Sequence, residues 1–232
     1  MSRAALIALV AFACAAAPAQ AARVDLLVVG KGGGVLRATK PVTLKRATVK
    51  VGSRRCRVAA ATPLAALART SLPLKLRDYG SCSQRTRDAG ALYLRGIGRQ
   101  VEQGSDGWVF KIGRKAPSTG AGDPASRLRD GAHLTWFWCR NGAGGCQRTL
   151  EATPATRSAA AGSQLRVTVR AYDDHGKGVP AAGATVTLGD ATATAGADGV
   201  ATVTLPSGAA TLSVMASKPG LVPAFPVTVS SS

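Results

Sequence analysis

Aromatic residues are scarce in this chain, at 4% of 232 positions, and histidine occurs only twice. No Gly-x-Ser-x-Gly motif is present, so the nucleophile elbow of an α/β hydrolase is not indicated. Cys-x-x-Cys is also missing, and with so few histidines the ligand spacing of a zinc site is not met. These absences predict a protein that is not an enzyme and that holds no metal and no cofactor.

The chain has one long apolar segment, Ala4 to Ala16, and no second one. It follows the basic residue Arg3 and precedes an Ala-Gln-Ala triplet, which offers a signal peptidase small residues where it reads them. A membrane-spanning helix would need roughly 20 apolar residues. We therefore predict that residues 1–21 are a secretory signal peptide of a bacterial protein that is secreted or held at the cell surface, without a transmembrane segment. Cys14 raises the alternative of a lipid anchor, which the nearby Phe12 disfavours.

Acidic residues are few, 12 against 30 lysines and arginines, and the formal net charge is +18. Residues 160–232 contain four residues of each sign, so the excess lies in the first part and amounts to +17 once Arg3 is removed. A cytoplasmic chain this basic would suggest nucleic acid. Outside the cell, acidic wall polymers and lipid headgroups are the abundant polyanions, and they attract basic charge. We expect a cell-envelope polyanion as the partner and no nucleic acid, with a role of the charge in solubility as the open alternative.

Four cysteines follow the predicted signal peptide, and an even number in an exported protein indicates disulfides. Three pairings are possible. Cys139 and Cys146 bracket a glycine-rich loop that can fold back, so we favour that pair. Cys56 with Cys82 then follows by elimination.

Segments rich in Val, Leu and aromatic residues predict strands in the first part. They cover residues 24–30, 46–52, 73–79, 91–97, 107–113 and 133–138, with 147–153 closing the sheet. Thr62 and Pro63 predict a helix that ends near residues 70–72, because threonine caps a helix and proline fits its first position. A short helix on one face of a mixed sheet makes this an α+β domain.

Several motifs of this part occur together in a known family. They are Thr62-Pro63-Leu64-x-x-Leu67, Tyr79-Gly80, Leu92-Tyr93-x-x-x-Ile97, Gly107-Trp108-x-Phe110-x-Ile112 and Leu128-x-Asp130-Gly131-x-x-Leu134-x-Trp136-x-Trp138. In this order they resemble the transcobalamin C-terminal-like domain, a β-grasp module of many bacterial secreted proteins. The resemblance covers roughly residues 24–153 and departs at Ile112-Gly113-Arg114, where relatives often have Val-Asn-Gly. It implies a β-grasp fold over residues 22–153 and an extracellular setting, but not cobalamin, because that ligand site also uses a helical domain that this chain lacks.

Residues 154–163 are predicted to be a linker from their composition. Residues 164–232 then show short alternating strands with glycine-containing turns, the pattern of an all-β sandwich. Gly178-Val179-Pro180, Gly183-Ala184-x-Val186-x-Leu188, Ala197-Asp198-Gly199 and Leu205-Pro206-x-Gly208 resemble bacterial Ig-like and carboxypeptidase-regulatory-like domains. The resemblance implies a spacer, or a weak binder of carbohydrate or protein.

The three tryptophans allow two interpretations. Trp108, Trp136 and Trp138 lie on predicted strands, and Trp136 and Trp138 share one face if theirs is regular. Core packing is one interpretation; a ligand-binding platform for a sugar ring or a flat molecule is the other. We expect a non-enzymatic exported binding or adhesion protein whose basic domain associates with cell-envelope polymers or with an extracellular ligand, either a carbohydrate or a small molecule, and whose sandwich domain is a spacer. The alternative is an extracellular carrier of a small planar, corrinoid-like ligand.

Overall fold

The structure, a computed structural model, describes residues 21–232, and its regular secondary structure is almost entirely β-strand. Its elements in chain order are β1 (Arg23–Val29), β2 (Val35–Thr43), β3 (Ala47–Val51), β4 (Arg54–Val58), α1 (Pro63–Ala68), β5 (Leu74–Asp78), β6 (Leu92–Ile97), β7 (Gln100–Val101), β8 (Gly107–Ile112), β9 (Ala132–Cys139), β10 (Thr149–Pro154), β11 (Ser158–Ala159), β12 (Gln164–Tyr172), β13 (Gly178–Pro180), β14 (Thr185–Leu188), β15 (Ala191–Thr194), β16 (Val200–Thr204), β17 (Ala210–Ser217) and β18 (Val227–Ser231). Two 3₁₀ helices, Lys31–Gly33 and Thr86–Ala91, complete the set. Residues 1–20 of the predicted signal peptide lie outside the described residues. We call β1 to β9 the first half and β10 to β18 the second half.

The predicted α+β class with a β-grasp first domain is wrong. Half of the residues lie in strands and 7% in helices, so an all-β class fits better. The predicted helix exists and begins as expected, with the Ala65 amide donating to Thr62 Oγ1 at 3.3 Å. It ends at Ala68, however, after six residues. A helix this short supplies two leucines to the core and cannot cover the face of a sheet.

The first half is organised around a four-stranded sheet in the order β2-β1-β9-β8. β1 lies at its centre, parallel to β9 and antiparallel to β2. Leu26 and Val28 point into the first core. Leu27 and Val29 point the other way and form a small cluster with Phe137 of β9 and with Val222, which belongs to the second half. Burial on both faces explains why the last four residues of β1, Leu26 to Val29, are all apolar and do not alternate.

Smaller elements close the other side of the first core. β3 and β4 form a separate hairpin, and β5, β6 and β7 form a three-stranded sheet. Leu64 and Leu67 of α1 pack against these strands and the tryptophan-bearing face of β9. The β3-β4 hairpin, which is rich in arginine and lysine and is called the basic hairpin below, and the outer face of the β5-β6 sheet are thereby exposed to solvent.

The second half is a pair of sheets that share one core. β10, β12 and β13 form one sheet with β16 added to β12, and the other runs β11-β18-β17-β14-β15. β10 was expected to close the first sheet, but it pairs with β12 along its whole length and buries Leu150 and Ala152 in the second core. Within the predicted linker, β11 pairs with β18.

Polar contacts join the two halves beside the small apolar cluster. The side chain of Lys111 on β8 is fully buried, and its Nζ donates to the Tyr172 carbonyl at 3.0 Å. It also lies 3.2 Å from Asp174 Oδ1. Arg114 reaches across with Nε and Nη2 to the two carboxylate oxygens of Glu151.

Two disulfides lie within the described residues, as suits a protein of an oxidising compartment outside the cytoplasm. In residues 21–232, none of the helices has the length and apolar character required to cross a bilayer.

Candidate polyanion-binding surface

All three tryptophans are buried in the first core. Trp108, Trp136 and Trp138 are exposed to 3%, 1% and 1%, respectively. Trp136 packs on Phe110, and Trp138 meets Trp108 edge to face at a centroid distance of 5.8 Å. The Trp108 indole N–H donates to the Gln100 carbonyl at 2.9 Å. This burial favours the core interpretation of the three residues over the ligand-binding platform.

The structure joins Cys139 to Cys146 and Cys56 to Cys82. The first bond closes the glycine-rich loop after β9. The second ties β4 to the loop that follows β5, with Cα atoms 5.4 Å apart. Basic side chains project from both segments that this second disulfide joins.

An open groove of about 420 Å³ lies between these segments. Its lining consists of four arginines, one glutamine and one threonine: Arg46, Arg57, Arg85, Arg87, Gln84 and Thr86. All four arginines are exposed, and no carboxylate is among the lining residues. We call this feature the arginine groove. Guanidinium groups bind carboxylates and phosphates through two parallel hydrogen bonds, so such a groove fits an anionic partner.

Strand alternation places the arginines on the hairpin side of the groove. On β4, Cys56 and Val58 point into the core, so Arg55 and Arg57 point outwards. Arg46 directly precedes β3, whose start pairs with the end of β4 and so brings Arg46 close to Arg57.

Backbone and side-chain hydrogen bonds fix the loop on the other side. The Arg57 amide donates to the Ser83 carbonyl at 2.8 Å, and Gln84 Nε2 donates to the Arg55 carbonyl at 2.9 Å. The Arg85 amide donates to Ser83 Oγ, which itself donates to Asp88 Oδ2 at 2.6 Å. The two sides of the groove are thus held in register before any ligand arrives, which lowers the entropic cost of binding.

Nearby acids are engaged in holding the loops. Asp78 accepts hydrogen bonds from the amides of Gly80 and Cys82 and forms an ion pair with Arg54 at 3.0 Å. Burial works against the charged form of Asp78, but these amides and the Arg54 guanidinium outweigh it and lower the pKa of the carboxyl. Asp88 holds Ser83 and lies 3.7 Å from Arg87 Nε, so it offsets only part of the groove's charge.

The sequence predicts the excess of basic charge but not the position of the groove. The signal was present in the segment Arg54-Arg55-Cys56-Arg57-Val58, where apolar and basic residues alternate from Arg55 onwards. Alternation alone does not show that Arg85 and Arg87 lie opposite, because that follows from the disulfide and from the path of the loop.

A second cavity, of about 310 Å³, lies where the two halves meet. His133 and Phe225 stack in its wall with ring centroids 4.4 Å apart. Arg114 also lines it, but that guanidinium is paired with Glu151 and lies over the Tyr172 ring. The volume is at the lower end for small-molecule sites and too small for a corrinoid. This cleft gives the carrier alternative no specific support.

No family model, no curated protein and no solved structure matches this chain. The candidate site is therefore defined by its own side chains: four exposed arginines on a braced groove, with Asp88 as a neighbouring carboxylate.

Proposed function

We propose that this is an exported, non-enzymatic protein whose first half binds a polyanionic polymer of the cell envelope. The second half then acts as a spacer or adhesion module. The observation that carries this proposal is the arginine groove, in which four exposed guanidinium groups converge and no carboxylate lines the site.

The distribution of charge supports a polymer over a single small anion. The β3-β4 hairpin, which forms one side of the groove, also carries the exposed basic residues Lys50, Arg54 and Arg55. The charges of residues 160–232 sum to zero. A one-sided field of this kind raises the local concentration of an extended polyanion and speeds its association. The groove then supplies the short-range, bidentate contacts.

Binding of inorganic polyphosphate and of polygalacturonate, measured at salt concentrations from 50 to about 500 mM, tests the proposal. We expect affinity for both polymers to fall steeply with salt. The double variant Arg57→Gln/Arg85→Gln should bind about tenfold or more weakly, because each charge-assisted hydrogen bond contributes on the order of 1.5–3 kcal/mol. Glutamine keeps polarity and approximate length, so the variant removes mainly charge.

The matched control is Arg166→Gln/Lys177→Gln, which removes the same charge from exposed positions of the second half. It should retain affinity within about twofold. Equal losses in the two double variants would show a general charge effect without a groove. Failure of the wild-type protein to bind either polymer would overturn the proposal.

A further inference from the structure

Two tyrosine rings are exposed side by side on the first half. Tyr79 is 64% exposed and Tyr93 is 37% exposed. Their centroids are 6.1 Å apart and their planes are inclined at 60°. Among the tyrosines and tryptophans of residues 21–232, only these two are exposed. Two adjacent exposed rings offer an apolar surface on which a ligand with an apolar face can pack.

Strand geometry explains why the rings face outwards together. Leu74 and Leu76 of β5 turn towards the core, so Lys75 and Arg77 point to solvent. The Tyr79 amide donates to the Ala91 carbonyl at 3.1 Å, which continues the β5-β6 ladder one residue beyond β5. Tyr79 therefore follows Arg77 on the outer face.

Basic side chains frame the pair. The Arg77 guanidinium carbon lies 4.8 Å from the centroid of the Tyr79 ring, and Arg77 is the cross-strand neighbour of Tyr93. Lys75 is exposed on the same face. Arg95 is paired with Glu102 at 2.5 Å, and burial together with this carboxylate raises the pKa of Tyr93. The cations available to a partner are therefore Arg77 and Lys75, which lie on the Tyr79 side of the pair.

This surface adjoins the arginine groove. Tyr79 follows Asp78, whose carboxylate is paired with Arg54 of the basic hairpin. On the same hairpin, the Arg55 carbonyl accepts the side chain of Gln84, which lines the groove. The elements that carry the tyrosine pair and the groove are thus connected through one hairpin and one loop.

We propose that Tyr79 and Tyr93 form a stacking platform for sugar rings, and that the polyanion is an acidic polysaccharide. This inference rests on the proposed function. A pyranose ring presents an apolar C–H face that packs on a tyrosine ring, and its carboxylate can meet Arg77 or Lys75. A polyphosphate chain has no apolar face and gains nothing from the rings. Aromatic and basic groups side by side therefore favour a polymer with both an apolar and an anionic component.

The test compares Tyr79→Ala/Tyr93→Ala with Tyr79→Phe/Tyr93→Phe on polygalacturonate and inorganic polyphosphate at one salt concentration. Loss of two stacking contacts should weaken polygalacturonate binding about five- to tenfold in the alanine variant. The phenylalanine variant, which keeps the rings, should stay within about twofold of the wild type for polygalacturonate. Polyphosphate affinity should stay within about twofold in both variants. If the double alanine variant does not fold, Tyr79→Ala alone keeps the comparison, because that ring is largely exposed.

Other outcomes would contradict one or both proposals. If the alanine variant binds polygalacturonate as tightly as the wild type does, and polyphosphate still binds, the platform is refuted and the proposed function stands. If the wild-type protein binds neither polymer, both fall. Single-stranded poly(dT) serves as a third probe, because bases also stack on aromatic rings. An equal tyrosine-dependent loss with poly(dT) would overturn the assignment to a sugar.

Discussion

Asp78 shows how one buried carboxylate organises a basic surface. Its side chain is 1% exposed, yet it stays charged because two backbone amides and Arg54 surround it. It stands between the basic hairpin and Tyr79, so its hydrogen bonds fix both. A carboxylate in this position does not dilute the charge of the arginine groove; it holds the loop that carries Cys82.

We expect Asp78→Asn to lower the free energy of unfolding at pH 7 by about 1–3 kcal/mol, the cost of weakening buried hydrogen bonds to a charged group. Because the folded-state pKa of Asp78 lies below the ordinary value of an aspartate, its contribution is present above that ordinary value and is lost as the pH falls through the lower, folded pKa. The difference between wild type and variant should therefore shrink in strong acid.

Urea unfolding at pH 7 and near pH 2 measures this difference. Asp190→Asn, at an exposed position of the second half, serves as the control and should change stability little at either pH. A gap between wild type and Asp78→Asn that is the same at both pH values would contradict the assignment.

At the scale of single residues, the type of a residue predicted whether it is buried better than it predicted a binding role. The tryptophans were candidates for a ligand platform because such rings can stack on ligands. In the structure they are buried, as is usual for large apolar side chains on strands that face a core. Arg57 and Tyr79 were less conspicuous in the sequence. Their importance comes from neighbours that are distant along the chain, and one sequence does not reveal those neighbours.

At the scale of elements, the two disulfides close loops of different length, with sequence separations of 7 for Cys139–Cys146 and 26 for Cys56–Cys82. On the chain-entropy model these loops correspond to about 2.5 and about 3.5 kcal/mol of stabilisation. Cys56→Ala/Cys82→Ala should therefore destabilise more than Cys139→Ala/Cys146→Ala in urea unfolding. It should also weaken polyphosphate binding several-fold, because one side of the arginine groove loses its anchor.

Binding by the Cys139→Ala/Cys146→Ala variant should be unchanged, since that loop lines no part of the groove. Equal loss of binding in both disulfide variants would mean that the bond between Cys56 and Cys82 does not shape the site.

Element type was more predictable than element partner. The segment that became β10 was correctly predicted as a strand, because it alternates around Leu150 and Ala152. Its partner was not, because either core could have accepted those two side chains. The helix behaved in the opposite way: its cap and first turn were encoded locally, while its early end and the all-β surroundings depended on the rest of the chain.

At the scale of the whole molecule, Lys111 is the main polar link between the halves. Burial lowers its pKa, an effect that the nearby carboxylate of Asp174 opposes. Lys111→Met would leave the Tyr172 carbonyl and Asp174 without this partner. We expect a loss of about 1–3 kcal/mol, below the 3–5 kcal/mol typical of a fully buried pair because Asp174 is 29% exposed.

Differential scanning calorimetry should show this loss as a lower unfolding temperature, with the transitions of the two halves moving apart. Arg114→Ala is the comparison, because it removes a half-exposed contact across the same junction and should cost at most about 1 kcal/mol. An unchanged calorimetric profile for Lys111→Met would show that the apolar cluster alone holds the halves together.

The position of β1 at the centre of the first sheet has a consequence for the order of folding. Val24, near the start of the described residues, pairs with Ala132 on β9, so the first sheet depends on contacts that are distant along the chain. Long-range pairing of this kind slows folding, and in the exported protein proposed above the first core would not close until nearly all of its strands had crossed the membrane. For the exported protein proposed above, slow closure keeps the chain competent for translocation and gives Cys56 and Cys82 time to meet on the oxidising side.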